Sequence, residues 1–140
     1  YIALAEGVFE QDRGVIDAPI GQDRHHPTRR RVSQTGEPAV TRYEVVERFP
    51  GHTLVRLRLE TGRTHQIRVH LSHIGHPIAG DGLYGGHRTL IQRQALHGER
   101  LSWPHPWTGE SMSVKAPLPD DFAAALRALR HAAPPSGGPG

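Results

Sequence analysis

One stretch of the chain, residues 59–85, concentrates side chains that can do chemistry. It reads L-E-T-G-R-T-H-Q-I-R-V-H-L-S-H-I-G-H-P-I-A-G-D-G-L-Y-G and includes four histidines and two arginines. Imidazole can bind a metal or move a proton, and guanidinium can pair with a carboxylate or a phosphate. Three interpretations compete: a metal site, a phosphate-binding loop, and a surface that meets RNA.

The histidine spacing argues against a metal site. His70, His73 and His76 are three apart, but Gly75 places His76 beyond the end of the predicted helix. The zinc-protease pattern H-E-x-x-H is absent, and the carboxylate closest to His76 is Asp81. We therefore expect no bound metal, and we expect these histidines to cap, hydrogen-bond and pack.

The glycine-rich run from Gly80 to Gly86 does not match a nucleotide-binding loop. It lacks the G-K-[ST] ending, and no helical period follows it. A tight turn is the better interpretation.

The arginines suit either RNA or a carboxylate. Arg63 is predicted in the turn before a helix, and His65 and Arg68 lie three apart on one face of that helix. An apolar stripe holds the helix in place: Ile67, Leu71 and Ile74. A held arginine can keep a catalytic carboxylate ionised, but spacing alone equally allows a structural salt bridge.

Composition favours a polyanionic partner. The 140 residues carry a net charge of +3, and Lys115 is the one lysine among 17 basic residues. Arginine suits phosphate contacts and base stacking, although a GC-rich genome also enriches it. The absence of cysteine excludes disulfides and thiolate metal sites and fits a cytoplasmic location. No apolar run approaches the roughly 20 residues that span a membrane.

Periodicity and turn residues predict the elements that position these side chains. Strands are predicted over residues 1–4, 15–16, 19–20, 39–49, 52–60, 95–103 and 111–115. Helices are predicted over 65–74, with Thr64 as N-cap and Gly75 after its end, and over 120–131. Residues 22–36 lack an apolar period and are predicted to form a basic loop, and 132–140 a disordered tail.

Six segments, taken in order, point to one family. They are Y-I-A-L-A-E-G (1–7), G-V-I-D-A-P-I-G (14–21), G-E-P-A-V-T-R-Y (36–43), E-T-G-R-T-H-Q-I-R-V-H-L (60–71), G-H-P-I-A-G-D-G-L-Y-G (75–85) and L-H-G-E-R-L (96–101), the last followed by His105-Pro106. Together they resemble the RluA-type pseudouridine synthases, with Gly98 departing from the usual alanine.

The resemblance implies both a fold and an activity. The fold is α+β, a mostly antiparallel mixed sheet with flanking helices, and residues 1–131 form the C-terminal portion of the catalytic domain. The activity is isomerisation of uridine in RNA to pseudouridine, without metal or cofactor: the base is detached at N1, turned and rejoined through C5. The arginines at 29–31 favour large-subunit ribosomal RNA as the partner, and a monomer is expected when the protein is full length.

The resemblance also gives roles to individual residues. Tyr1 matches the active-site tyrosine that packs on the target base, and Arg68 matches the arginine that pairs with the catalytic aspartate. Arg63 and His65 would shape the pocket or hold the RNA backbone. Leu96 would line the pocket.

One family feature is missing from the sequence. The catalytic aspartate belongs to an H-R-L-D segment upstream of the tyrosine segment, and no R-L-D occurs in this chain. We therefore expect a C-terminal piece of a synthase, inactive and poorly soluble by itself, with Arg68 unpaired. The alternative is a non-catalytic RNA-binding module that keeps the arginine face and needs no aspartate.

Overall fold

The computed structural model describes residues 1–26 and 28–132, except the side chains of 101–103 and 132. This part of the chain has the α+β fold that the resemblance implied. Its strands are β1 (Ile2–Glu6), β2 (Arg13–Asp17), β3 (Ile20–Gln22), β4 (Arg30–Val32), β5 (Val40–Phe49), β6 (His52–Leu59), β7 (Leu96–His97), β8 (Arg100–Pro104) and β9 (Ser111–Lys115). Its α-helices are α1 (Gln66–His73) and α2 (Asp120–Ala132).

Five strands form the main sheet, in the order β2-β5-β6-β1-β7, and each neighbouring pair is antiparallel. The predicted strands 39–49 and 52–60 are confirmed as β5 and β6, which form a hairpin, and Gly51 takes the left-handed conformation, with φ 77°, that its tight turn requires. The register shifts between Val45 and Glu47, so Val46 bulges from β5 and interrupts the alternation along the strand. Two further hairpins, β3–β4 and β8–β9, stand apart from this sheet.

The two helices cover opposite faces of the main sheet. Thr41 and Glu47 of β5 pair with Leu59 and Leu54 of β6, which lie five residues apart. Because side chains alternate between the faces along a strand, an odd separation means that Thr41 and Glu47 point to opposite faces. His70 of α1 hydrogen-bonds to Thr41, whereas Arg130 of α2 pairs with Glu47. Each helix therefore fixes one face of the sheet.

The hydrophobic core lies between the sheet and both helices. Ala3, Leu4 and Ala5 of β1 are fully buried, as are Leu71 of α1 and Phe122 of α2. The predicted second helix packs into this core through Phe122, Ala125, Leu126 and Leu129. Neither helix in the described part of the chain is long and apolar enough to cross a bilayer.

Three predicted segments differ from the structure. The basic 22–36 segment is not all loop, because Arg30–Val32 pairs with β3 as strand β4; a three-residue strand is too short to show a period. The predicted strand 95–103 divides into two, since β7 pairs with β1 whereas β8 pairs with β9. The predicted tail begins at Ala132, which ends α2, and its remaining residues, 133–140, lie outside the described part of the chain.

Candidate active site

Helix α1 begins without the N-cap that the sequence predicted. Its N-cap is His65, not Thr64, and His65 is left-handed, with φ 56° and ψ 24° and no side-chain cap. Gln66 stabilises this turn instead: its Oε1 accepts hydrogen bonds from the Arg63 amide at 2.9 Å and the Thr61 hydroxyl at 2.7 Å. Its Nε2 donates to the main chain and a side chain of β5. The turn is therefore pinned to the sheet, and a Thr64 cap is not needed.

The end of helix α1 matches the prediction. Gly75 is left-handed, with φ 86°. The His76 amide donates to the Leu71 carbonyl at 2.9 Å, and the Gly75 amide donates to the Ser72 carbonyl at 3.0 Å. These two bonds form a Schellman motif, which satisfies carbonyls that the helix leaves free.

Arg68 has a partner within the chain, so the expectation that it would be unpaired is wrong. Its Nε donates to Oδ2 of Asp81 at 2.8 Å, and its Nη2 donates to Oδ1 at 2.9 Å. The Asp81 side chain is 1% exposed and that of Arg68 is 15% exposed. These hydrogen bonds raise the pKa of Arg68 above its ordinary value, so the guanidinium is fully charged. Spacing did not reveal the pair because it spans two different elements.

The glycine-rich turn holds Asp81 in place, as a tight turn rather than a phosphate loop. The Asp81 carbonyl accepts hydrogen bonds from the amides of Tyr84 at 3.2 Å and Gly86 at 2.8 Å. Gly80 has φ 81°, and a Cβ there would lie 2.0 Å from the Arg93 carbonyl oxygen. Only glycine fits this position, which explains why the aspartate follows one.

Tyr84 contacts Arg68, His65 and the β3–β4 hairpin, which carries Arg30. The Arg68 guanidinium lies 5.0 Å from the centroid of the Tyr84 ring, within range of a cation–π interaction. The Tyr84 hydroxyl accepts a hydrogen bond from the Arg30 amide at 2.9 Å, which leaves its own proton for His65 Nδ1 at 2.7 Å. Burial, then the charge of Arg68, lowers the pKa of His65, in keeping with a neutral ring that accepts this proton.

Sequence reasoning quoted Asp81 and Tyr84 within a family segment but gave neither a role. The available signal was their spacing: an aspartate and a tyrosine three apart in a glycine-rich turn. With them, α1, the turn and the β3–β4 hairpin form one cluster, which we call the Arg68 cluster and define as Arg30, His65, Arg68, Asp81 and Tyr84.

His70 of helix α1 is a buried residue that stabilises the fold. It is fully buried, and its Nε2 lies 2.9 Å from the Ala18 carbonyl oxygen, so Nε2 carries the proton. Its Nδ1 lies 2.7 Å from the Thr41 hydroxyl, which donates to it. Burial lowers the pKa of His70. The expectation that these histidines hydrogen-bond and pack is confirmed for His70; in the described residues no three His, Cys, Asp or Glu side chains gather as metal ligands.

Tyr1 and Leu96 lie together at the β1–β7 side of the sheet. Leu96 pairs with Ala3, two residues along from Tyr1. The Tyr1 ring is half-exposed, and a Cβ on Gly98 would lie 3.8 Å from it. Among the described residues, no hydrogen bond or ion pair joins Tyr1 to Arg68.

Arg63 is turned towards the start of β5. Its Nε donates to the Pro38 carbonyl at 2.7 Å, and its Nη1 lies 2.8 Å from a Glu37 carboxylate oxygen. The partners of Arg63 thus lie outside the Arg68 cluster, whereas His65 and Arg68, which the spacing placed on one face, both contact Tyr84.

Tyr1 also borders an open, basic cleft of about 1130 Å³. The cleft is lined by β2, β5 and β6 and by the foot of the β8–β9 hairpin, and its charged lining residues are Arg13, Arg42, Glu44, Arg56, Arg58, Glu99, Arg100 and Lys115. Arg56 hydrogen-bonds to Glu99 and lowers the pKa of that carboxyl. Cations outnumber anions in this lining, so the cleft suits a polyanion.

Comparisons with known proteins agree on one family. A family model described as RNA pseudouridylate synthase matches residues 1–73, which is more than half of the chain. A Bacillus subtilis protein called an uncharacterised RNA pseudouridine synthase is 52% identical over 127 residues, covering 87% of this chain and 41% of that protein. The ribosomal large subunit pseudouridine synthase D of Nitrosomonas europaea is 50% identical over 142 residues, covering 94% and 40%.

Solved structures give the same answer for the fold. The human RNA pseudouridylate synthase domain containing 1 superposes with a TM-score of 0.71 at 30% identity, covering 96% of this chain and 66% of that one. The human RNA pseudouridylate synthase domain containing 4 superposes with a TM-score of 0.72 at 27% identity. The chain spans about two-fifths of the length of the curated relatives it matches.

Proposed function

The chain belongs to the RNA pseudouridylate synthase family, and on that premise we propose that it forms part of an enzyme that converts uridine in RNA to pseudouridine. The observation that carries the proposal is the family match over residues 1–73, which spans four of the five candidate site residues: Tyr1, Arg63, His65 and Arg68. Arg68, which is charged and is fixed in orientation by its ion pair with Asp81, supports the proposal further.

The reaction is an isomerisation. The bond between ribose C1′ and N1 of the base breaks, a bond between C1′ and C5 forms, and the C5 proton is released while N1 gains one. Substrate and product have the same atoms and the same oxidation level, so the chemistry needs no redox partner. The residues of this chain would bind and orient the base.

Arg68 is proposed to hold two carboxylates at once. A guanidinium offers five N–H donors, and Asp81 takes two of them. The remaining donors can meet the catalytic aspartate that the family carries in a segment this chain does not contain. Asp81 would then set the orientation of Arg68, and Arg68 would keep the second carboxylate ionised.

Tyr1 is proposed to pack on the target uridine. The base must leave its stack to be processed, and an exposed aromatic ring can replace the stacking that the base gives up. Leu96 and His65 would complete the walls of the pocket, and Arg63 would contact the RNA backbone near its entrance. The half-exposed ring of Tyr1 beside the basic cleft supports this arrangement.

Large-subunit ribosomal RNA is the proposed substrate. Support comes from the name of the Nitrosomonas europaea relative and from the arginine-rich β3–β4 segment, which is tied to the Arg68 cluster through Arg30. Such an enzyme would act in the cytoplasm, as a monomer.

Tritium release tests the proposal. The full-length protein is incubated with large-subunit ribosomal RNA labelled with tritium at uridine C5, since formation of the C1′–C5 bond sends that hydrogen to water. Release at a single uridine supports the enzyme. RNA binding without release supports the alternative, a non-catalytic RNA-binding module, which the lack of an R-L-D aspartate in this chain keeps open.

A further inference from the structure

The β8–β9 hairpin presents an exposed tryptophan on an ordered turn. Trp107 is 89% exposed. The His105 amide donates to the Glu110 carbonyl at 2.7 Å, and the Gly109 amide donates to the His105 carbonyl at 3.0 Å. The amides of Trp107 and Thr108 both point at Nδ1 of His105, at 3.2 and 3.3 Å. The turn is therefore held by its own hydrogen bonds, and it projects the indole outwards.

The fold gives little reason for this indole. Hydrophobic stabilisation scales with the area removed from water, so a ring this exposed contributes little to folding. The ring of His105 lies beside it, at 5.7 Å between centroids. The same hairpin carries two more exposed apolar side chains, Met112 and Val114. An aromatic ring with one apolar face in water is suited to stacking on another ring.

Two cations face each other at the foot of the hairpin. Arg100 and Lys115 are cross-strand partners, and both are exposed. Like charges directly opposite one another are unfavourable in a sheet. The nearby anion is Glu99, whose pKa the charge of Lys115 helps to lower and whose carboxylate is already bound by Arg56. Within the described part of the chain neither makes a salt bridge. Both also line the basic cleft that Tyr1 borders.

We propose that the β8–β9 hairpin is a second RNA-binding element, in which Trp107 stacks on an unpaired base and Arg100 and Lys115 hold phosphates between that base and the cleft. Single-stranded nucleic acid is bound by this combination of aromatic ring and cationic track. The inference rests on the proposed function and deepens it, because it says where the RNA nucleotides that flank the target uridine bind.

The dimensions fit a short single strand. Four residue steps along β8, from Arg100 to Pro104, span about 14 Å at roughly 3.4 Å per residue. That length corresponds to roughly four stacked nucleotides at about 3.4 Å each. An A-form duplex offers no free base face to the indole, so the hairpin selects unpaired RNA.

Binding of a short, unstructured, fluorescein-labelled RNA to the full-length protein tests this proposal. Replacing the indole in Trp107→Ala should weaken the Kd roughly 5- to 150-fold, since base stacking on an aromatic is worth about 1–3 kcal/mol. Trp107→Phe keeps a ring and should recover most of the affinity. Val46→Ala, which trims an exposed apolar side chain at the β5 bulge, should bind as the wild type does.

The cationic part has its own readout. Replacing both Arg100 and Lys115 with alanine should reduce the slope of log Kd against log salt by about 0.7 for each phosphate that the protein no longer neutralises. The affinity for a duplex of the same sequence should not depend on Trp107.

Other outcomes overturn the proposal. It falls if Trp107→Ala binds the single strand as tightly as the wild type, or if Trp107→Phe is as weak as Trp107→Ala. It also falls if Trp107→Ala leaves RNA affinity intact but lowers the mass of the protein in solution, because the indole then meets a second copy. Tritium release by the wild type is measured separately. If the wild type releases tritium but its Kd for RNA does not depend on Trp107, only this inference fails. If the Kd depends on Trp107 but no tritium is released, only the proposed enzymatic function fails.

Discussion

Arg68 and Asp81 form a buried ion pair whose two members depend on each other. A carboxylate that is 1% exposed is costly unless it is paired and hydrogen-bonded. The bidentate geometry, at 2.8 and 2.9 Å, supplies that compensation. Because Arg68 also lies over the Tyr84 ring, its guanidinium plane has little freedom to turn.

Replacing Asp81 with alanine should therefore destabilise the protein by about 3 kcal/mol, because it leaves a partly buried guanidinium without its partner. Urea unfolding of the wild type and the variant measures the difference. Asp121→Ala is the matched control: its pair with Arg93 is about half exposed on both sides, and exposed pairs contribute little to stability. Equal destabilisation of the two variants would contradict the importance given to burial.

Tyr84 makes separate contributions through its hydroxyl and its ring. Tyr84→Phe removes the acceptor for the Arg30 amide and the donor to His65, which should lower stability by about 1 kcal/mol. Tyr84→Ala also removes the buried ring under Arg68 and should lower it by about 3–5 kcal/mol. Urea midpoints for both variants provide the measurement. A phenylalanine variant as unstable as the alanine one would show that the hydroxyl, not the ring, holds the cluster.

At the scale of elements, helix α1 is fixed to the sheet by a buried polar network as well as by packing. Gln66 and His70 both hydrogen-bond to Thr41 of β5. The same hydroxyl therefore orders the first and second turns of the helix. This link explains how a helix of eight residues, too short to be stable alone, can hold Arg68 in one orientation.

His70 should make stability depend on pH. Its pKa is lowered in the folded protein by burial, so below the ordinary imidazole pKa of about 6.5 the unfolded chain binds more protons than the folded one. The contribution is present above that value and is lost as the pH falls through the lowered pKa. Stability should therefore decrease between about pH 7.5 and 5.

The variant His70→Asn tests this dependence. Asparagine does not titrate, so the variant should be less stable than the wild type at neutral pH but should lose less stability on acidification. Urea midpoints across the range measure both. His52 and His65, whose pKa values are also lowered by burial, remain in the variant, so the slope should shrink without vanishing. An unchanged slope would show that groups other than His70 cause the pH dependence.

At the scale of the whole molecule, the sequence predicted best the elements whose side chains repeat regularly. Strands β5 and β6 and helix α2 each bury one face over several periods, and each was found within a residue or two. The end of α1 was also predictable, because a glycine after the last turn acts locally, as Gly75 does here. These features depend on neighbours in the sequence.

The features that sequence reasoning missed depend on distant residues. The start of α1 is set by Gln66 bonding to β5, about 25 residues earlier. The division of the predicted strand 95–103 depends on which strand each half pairs with. The Arg68–Asp81 pair, likewise, needs the fold to bring a helix beside a glycine-rich turn. Local patterns do not carry this information.

Family resemblance and geometry contribute differently to the site. The resemblance suggested Tyr1, Arg63, His65, Arg68 and Leu96. The structure adds their partners: His65 and Arg68 both contact Tyr84, Leu96 pairs with Ala3 beside Tyr1, and Arg63 bonds to Pro38.

The most direct test of the central claim is single-turnover tritium release by the full-length protein with and without Arg68. Arg68→Met keeps the length of the side chain but removes the charge and the donors. We predict RNA affinity close to that of the wild type and a rate of tritium release lower by about 100-fold or more, since a charge-assisted hydrogen bond worth about 3 kcal/mol corresponds to that factor. Release at the wild-type rate by Arg68→Met would contradict the assignment of Arg68 to the catalytic site.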